Sequence, residues 1–142
     1  MDTQETVLVL RCCRADMSSH SSRNGNMFHW PESGFVEAPD WNPVKECGQG
    51  LHGWLWGEGN LGVCDYWQVE DTKWLVVEVL AATIVELGGK VKFPRGQVVF
   101  CGPRDQAVQV VTGRVPAGKL VLFGTATAGY AGTATAGTRG TA

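Results

Sequence analysis

Charge is scarce in this chain, and long apolar runs are missing. Charged residues make up 18% of the 142 residues, the net charge is −2, and the twelve Lys and Arg never fall four in a row. Nucleic-acid binders carry a basic patch or stripe as their electrostatic footprint, so that class is not expected here. The acidic residues Glu32, Glu37, Asp40 and Glu46 cluster loosely, as solvated loop surface does. No stretch approaches the roughly 20 apolar residues of a membrane span. The N-terminus, Met-Asp-Thr-Gln-Glu, lacks the basic start and apolar core of a secretory leader. The five Cys are an odd number, and Cys12 and Cys13 are adjacent. Neighbouring strand residues point to opposite faces, so these two make poor disulfide partners. Free thiols in a reducing, cytoplasmic setting are therefore expected.

Catalytic signatures are also missing. There is no Walker loop, and neither Gly48-x-Gly50 nor Gly57-x-Gly59 is followed by a helix-like stretch that could cradle a phosphate. No local pattern marks a Ser or Cys nucleophile. The expectation is a non-enzymatic protein with no cofactor, acting through a protein partner and through neither nucleic acid nor membrane.

What the chain does hold is Gly and Trp, nineteen and six respectively, with 44% hydrophobic residues to build a core. Val7-Leu8-Val9-Leu10 reads as a strand buried on both faces, within Thr6–Arg14. Ala15–Asn26 is polar and turn-forming, hence a loop. Met27–Val36 reads as a short irregular strand, and Trp41-Asn42-Pro43 as a turn. Five Gly fall between Cys47 and Gly59, implying tight turns or close backbone approach. Trp74–Leu80, Lys90–Phe93, Gln97–Cys101 and Leu120–Phe123 read as strands, with Ala81–Leu87 as a strand extension or one helical turn. Gly88-Gly89 and Pro94-Arg95-Gly96 mark turns, and Asp105–Val111 is a short helix. The fold class is β-rich α+β: a small mixed or antiparallel sheet with one or two short helices.

Two constellations bear on function. Trp54, Trp56 and Trp67 could line an aromatic pocket with His52, Asn60 and Asp65 as polar anchors, which is the alternative reading: a small-molecule- or nucleotide-binding or transferase-like domain using His52. The same Trp residues serve equally to fill core volume. Trp54 and Trp56 share one side if that stretch is extended. Cys47, His52 and Cys64 carry zinc-type donors, but no Cys-x-x-Cys pair pre-forms half a tetrahedron.

The last segment differs from all that precedes it. From Gly124 to Ala142 the chain repeats every eight residues, Gly-Thr-Ala-Thr-Ala-Gly-Tyr-Ala and then Gly-Thr-Ala-Thr-Ala-Gly-Thr-Arg. A fixed short period marks a solenoid or array. The division is therefore a globular domain over 1–123 and a repeat tail over 124–142, read as the start of a β-solenoid or as a linker.

Two resemblances follow from these motifs. Cys-Gly-Gln-Gly-Leu-His-Gly at Cys47–Gly53, with the strand from Trp74 and Gly88-Gly89-Lys90-Val91-Lys92, resembles small uncharacterised phage and prophage domains. That resemblance implies a phage-type accessory protein that binds a host or phage protein, for instance to antagonise host defence. The tail segment Ala128–Thr135 is similar to the octapeptide of bacterial ice-nucleation proteins, departing from it at Ala131 and Gly132. In that family two octads form one coil of a β-solenoid. Thr125 with Thr127, and Thr133 with Thr135, would then present hydroxyls about 6.6 Å apart along a strand, on rungs about 4.8 Å apart. The resemblance implies ice or surface binding; separately, the repeats are expected to extend the protein or to form a homo-oligomer through the tail. Nineteen residues make little more than one such coil, whereas repeat folds need about three repeats to bury a core.

Overall fold

The computed structural model describes residues 5–20, 27–59 and 71–115. In chain order the elements are β1 (Thr6–Cys13), β2 (Ser18–His20), β3 (Met27–His29), β4 (Gly34–Glu37), β5 (Leu51–Leu55), β6 (Lys73–Leu80), β7 (Val85–Glu86), β8 (Val91–Phe93), β9 (Arg95–Gly102) and α1 (Arg104–Thr112). Seven strands form one sheet in the order β4-β9-β6-β1-β5-β8-β7, and β2 and β3 pair separately. Every pairing among the described residues is antiparallel. The β-rich α+β expectation holds, with an antiparallel sheet and, among the described residues, one α-helix.

The apolar run in β1 dictates its place. Val7, Leu8, Val9 and Leu10 are all buried, which only a central strand covered on both faces allows. β1 pairs with β6 over eight residues, from Thr6 opposite Leu80 to Cys13 opposite Lys73. Alternation then sorts the side chains into two cores. Leu8, Leu10, Cys12, Trp54, Trp74 and Val76 pack under Ala107, Val108 and Val111 of α1. Val7, Val9, Cys13, Leu75, Val77, Val79 and Phe93 pack on the opposite face with Trp30 and Val36. Cys12 and Cys13 fall on opposite faces, as their adjacency requires.

At nine residues α1 is shorter than the about 12–15 that an isolated helix needs in water, so packing holds it in place. Pro103 precedes it, and Asp105 in its first turn complements the helix dipole. Beyond Gly113, Arg114 reaches back to Glu78 of β6 at 3.3 Å.

Four local expectations are corrected. Ser18–His20 is a strand rather than loop, paired with Met27–His29. Its Ser19 hydroxyl accepts from the buried Trp30 indole at 3.0 Å, a polar role that composition disguises. Met27–Val36 is two strands, β3 and β4, separated by Trp30–Ser33. Arg95-Gly96 already belongs to β9, and the Gly-rich segment contains β5. Of the two readings of Ala81–Leu87, the single helical turn is the one that forms, as a 3-10 turn at Ala81–Thr83, with β7 following it. The expected strand Leu120–Phe123 and the repeat tail lie outside the described residues.

Gly53 shows why β5 needs glycine. A Cβ there would stand 2.4 Å from Val9 Cγ1 and 2.8 Å from the Leu10 carbonyl oxygen. The central strand itself fills that space. Gly53→Ala should therefore destabilise the fold by about 1–3 kcal/mol, as overpacking does. In urea the midpoint should fall while the m-value stays constant; an unchanged midpoint would refute the close approach.

Candidate functional site

The described site residues centre on a loop laid over β5 and β8. Backbone Asn42 N–H donates to the Gln49 carbonyl at 3.1 Å and closes the loop from 42 to 49. The Trp41 ring lies against Gly50, so close that a Cβ there would meet two ring carbons at 2.9 Å. Left-handed backbone at Gly48 (φ 98°) and Gln49 (φ 56°) turns the chain back into β5.

His52 and Lys92 are cross-strand partners on β5 and β8, and both hold this loop. The Gly48 N–H donates to His52 Nε2 at 3.1 Å, while Lys92 Nζ donates to the Gly48 carbonyl at 3.1 Å. One peptide residue is thus gripped through both its backbone polar groups. Lys92 is fully buried, and its ammonium lies 5.6 Å from the centre of the Trp41 ring. A cation over an aromatic face gains electrostatic attraction when desolvated. Alternation along Lys90–Phe93 suggests a solvated Lys92, and the loop is what buries it.

Electrostatics fix the protonation of His52. Burial, first, and then Lys90, Arg11 and Lys92 push its pKa from 6.5 down to about 3, against a hydrogen bond with the Gly50 backbone. The ring is neutral, as it must be to accept from Gly48. Its carbonyl accepts from Arg11 Nη1 at 3.0 Å, and the Arg11 guanidinium sits 4.5 Å over Trp30. On the surface, Lys90 Nζ donates to Cys47 Sγ at 3.0 Å. With Nε2 occupied by Gly48, His52 has no lone pair there to activate the Cys47 thiol. Burial also raises the Cys13 thiol to about 11, leaving it inert.

Of the residues of the expected aromatic pocket, the structure describes His52, Trp54 and Trp56. Trp54 is a core residue, 2% exposed and stacked on Trp74 with centroids 5.9 Å apart. Trp56 follows the end of β5 in left-handed backbone (φ 54°), half-buried against both cores. His52 faces the loop. Asn60, Asp65, Trp67 and Cys64 lie outside the described residues, as do Thr125, Thr127, Thr133 and Thr135. Among the described residues no three His, Cys, Asp or Glu converge on a metal position. Sequence reasoning missed Trp41, Lys92 and Arg11. Only the Gly-Lys-x-Lys spacing hinted at Lys92, and composition offered no signal for a buried cation.

Two outcomes follow. The folded state holds His52 neutral far below its ordinary pKa, whereas the unfolded chain binds that proton near pH 6.5. Stability is therefore full above pH 6.5 and drains as the pH falls toward 3. Between about pH 6.5 and 4.5, above the usual carboxylate range, His52→Gln should flatten this slope in urea titrations; an equal slope in both chains would remove His52 as its source. Lys92→Met keeps the packing but strands the Gly48 carbonyl, at a cost of about 1–3 kcal/mol. Limited proteolysis should then cut within 42–49 faster than in the parent, and equal cutting would show that Lys92 does not hold the loop.

Comparison with known proteins completes the picture. Residues 7–106 match the family described as Domain of unknown function (DUF7666). The chain is 36% identical over 110 residues to the ice nucleation protein InaU of Pantoea ananas, covering 76% of this chain and 10% of that protein. It is 37% identical over 114 residues to an ice nucleation protein of Pseudomonas syringae, covering 79% and 9%. A third, from Xanthomonas campestris pv. translucens, is 35% identical over 115 residues, covering 79% and 7%. The chain thus spans about a tenth or less of the length of the relatives it matches. No solved structure matches it. Since the repeat tail has only nineteen residues, most of each alignment falls in the region before Gly124. These relatives overturn the phage-protein and host-defence expectations drawn from Cys47–Gly53. The cytoplasmic assignment falls with them, since it rested on thiols and on the start of a chain that covers only a small part of bacterial ice nucleation proteins. The matched region coincides with the clamped β domain described above, and the chain belongs to the DUF7666 family, with homology to ice nucleation proteins.

Proposed function

We propose that this chain is the folded base of an ice-binding octad array, its β domain carrying the first Thr-bearing repeats. The observation that carries this reading is the pairing of two features in one chain. The similarity to ice nucleation proteins extends well beyond the tail, and the tail itself supplies octads with Thr at i and i+2.

The chemistry is that of a regular hydroxyl lattice. In an extended rung, Thr125 and Thr127 share one face about 6.6 Å apart, and the next rung lies about 4.8 Å away. Such a face can hold water in ordered positions. Its area scales with the number of coils, and nineteen residues provide little more than one. Activity therefore belongs to an extended array. The domain contributes a stable root, because an end coil with no partner cannot bury its own core.

Droplet freezing tests this directly. The 142-residue chain should freeze water droplets close to the buffer control. Appending further Gly-Thr-Ala-Thr-Ala-Gly-Tyr-Ala octads should raise the freezing temperature progressively, and replacing each octad's two Thr with Val should remove most of the gain. An array of a dozen coils that freezes no warmer than buffer would contradict the reading.

A further inference from the structure

We propose that Cys47 and Lys90 are a redox modification site, at which a hydroperoxide drives a covalent bond between Cys47 Sγ and Lys90 Nζ. Hydrogen peroxide is the simplest such oxidant. The bond would fasten the loop from 42 to 49 to the start of β8. Its chemistry does not depend on ice binding.

The first observation is that the two atoms to be joined already touch. Lys90 Nζ lies 3.0 Å from Cys47 Sγ, across 43 positions of sequence. Cys47 is exposed to a small oxidant, whereas Cys12 and Cys13 are buried. Thiols that oxidise readily in proteins are the exposed ones beside cationic groups.

The second observation is that the fold holds each atom from behind. Cys47 precedes Gly48, whose N–H is bound by His52 and whose carbonyl is bound by Lys92. Lys90 follows the left-handed pair Gly88 and Gly89, each at φ 83°. Its carbonyl accepts from the Leu87 N–H, and its own N–H donates to the Gly88 carbonyl, both at 2.9 Å. The next residue, Val91, is already in β8 and pairs with Gly53 of β5. Both side chains thus leave backbone that the sheet has fixed, and their tips meet. Holding two reacting groups together makes their combination effectively unimolecular.

The chemistry runs in two balanced parts. Hydrogen peroxide takes the Cys47 thiol to a sulfenic acid and is reduced to water, the sulfur losing two electrons. The Lys90 ammonium then gives a proton to solvent, and the nitrogen lone pair attacks Sγ. An S–N bond forms and the S–O bond breaks. The departing hydroxide takes a second proton from nitrogen and leaves as water. Sulfenic acids are known to condense with nitrogen in this way, to a sulfenamide. The peptide nitrogen of Gly48 is the rival partner, but it is an amide, a weaker nucleophile, and its N–H is already bound to His52. Two equivalents of a small thiol reverse the bond: the first attacks sulfur and releases the Lys90 amine, and the second frees Cys47 as the added thiol becomes its own disulfide. In the reduced chain His52, Lys92 and Trp41 hold the loop; in the oxidised chain a covalent ring from 47 to 90 holds it as well.

Peptide mapping by mass spectrometry on the full 142-residue chain, after brief exposure to hydrogen peroxide, tests the proposal. In the parent, the peptides carrying Cys47 and Lys90 should appear joined, about 2 Da lighter than their sum, and dithiothreitol should part them. Peroxide added to the urea-unfolded parent should give no joined pair, because nothing then holds Nζ beside Sγ. In Lys90→Met no joined pair should form, and dimedone should trap about tenfold more Cys47 sulfenic acid than in the parent. The bridged parent should also unfold at a higher urea midpoint than the reduced parent, as closing a ring restricts the unfolded chain. Cys47 that stays as a trappable sulfenic acid in the folded parent, or equal trapping in parent and variant, would overturn the proposal. So would Cys47 joined in a disulfide to Cys64 or to a second chain. An unlinked Cys47 peptide about 2 Da lighter, its ring closed on Gly48, would overturn it too. Should Lys90→Met lose its fold by circular dichroism, the joined peptide in the folded parent and its absence in urea decide alone.

Discussion

The burial of β1 on both faces is the constraint on which the rest of the structure depends. Val7 to Leu10 offers no polar side to water, so each face needs a cover. Ala107, Val108 and Val111 of α1 supply one, and Trp30, Val36 and Phe93 contribute to the other. The short helix and the connection through Trp30 both exist in folded form because this strand gives them something to bury. The same constraint reaches β5, where only glycine at position 53 lets the backbone lie against Val9.

A second layer of organisation is polar and local. The loop from 42 to 49 has little apolar content of its own, and it is held by contacts to its backbone. His52 and Lys92 grip Gly48 from two cross-strand positions, and Trp41 closes over both Gly50 and the Lys92 ammonium. This arrangement positions a loop and keeps an imidazole neutral. Its polar groups are spent on the protein's own backbone, so it serves as a brace beneath the surface.

How much of this was legible in the sequence differs from element to element. β1, β6 and α1 announce themselves through runs of buried Val and Leu or through helical spacing. β2 does not, because Ser18-Ser19-His20 composes like a turn and becomes a strand only by pairing with β3. β5 hides among glycines, and the reason for Gly53 at its centre is the proximity of β1, a tertiary fact. Lys92 misleads most: strand alternation points it to solvent, and a loop forty-odd positions away in sequence covers it. Trp54 was legible as either pocket wall or core, and its stack on Trp74 makes it core. The octads resemble the ice-nucleation octapeptide through the motif at Ala128–Thr135, while the Cys47–Gly53 motif led toward phage domains that the relatives do not support.

The domain and the repeats thus form one account: a β sheet braced by its own loop, with octads that begin where the chain leaves it. The central claim is that the domain roots the array. It is tested most directly by comparing droplet freezing for arrays of three to four coils carried on residues 1–123 with the same arrays alone. The account predicts a warmer freezing temperature when the domain is attached, with the difference shrinking as coils are added and the array stabilises itself. Equal freezing temperatures at every length, with the free arrays equally ordered, would contradict it.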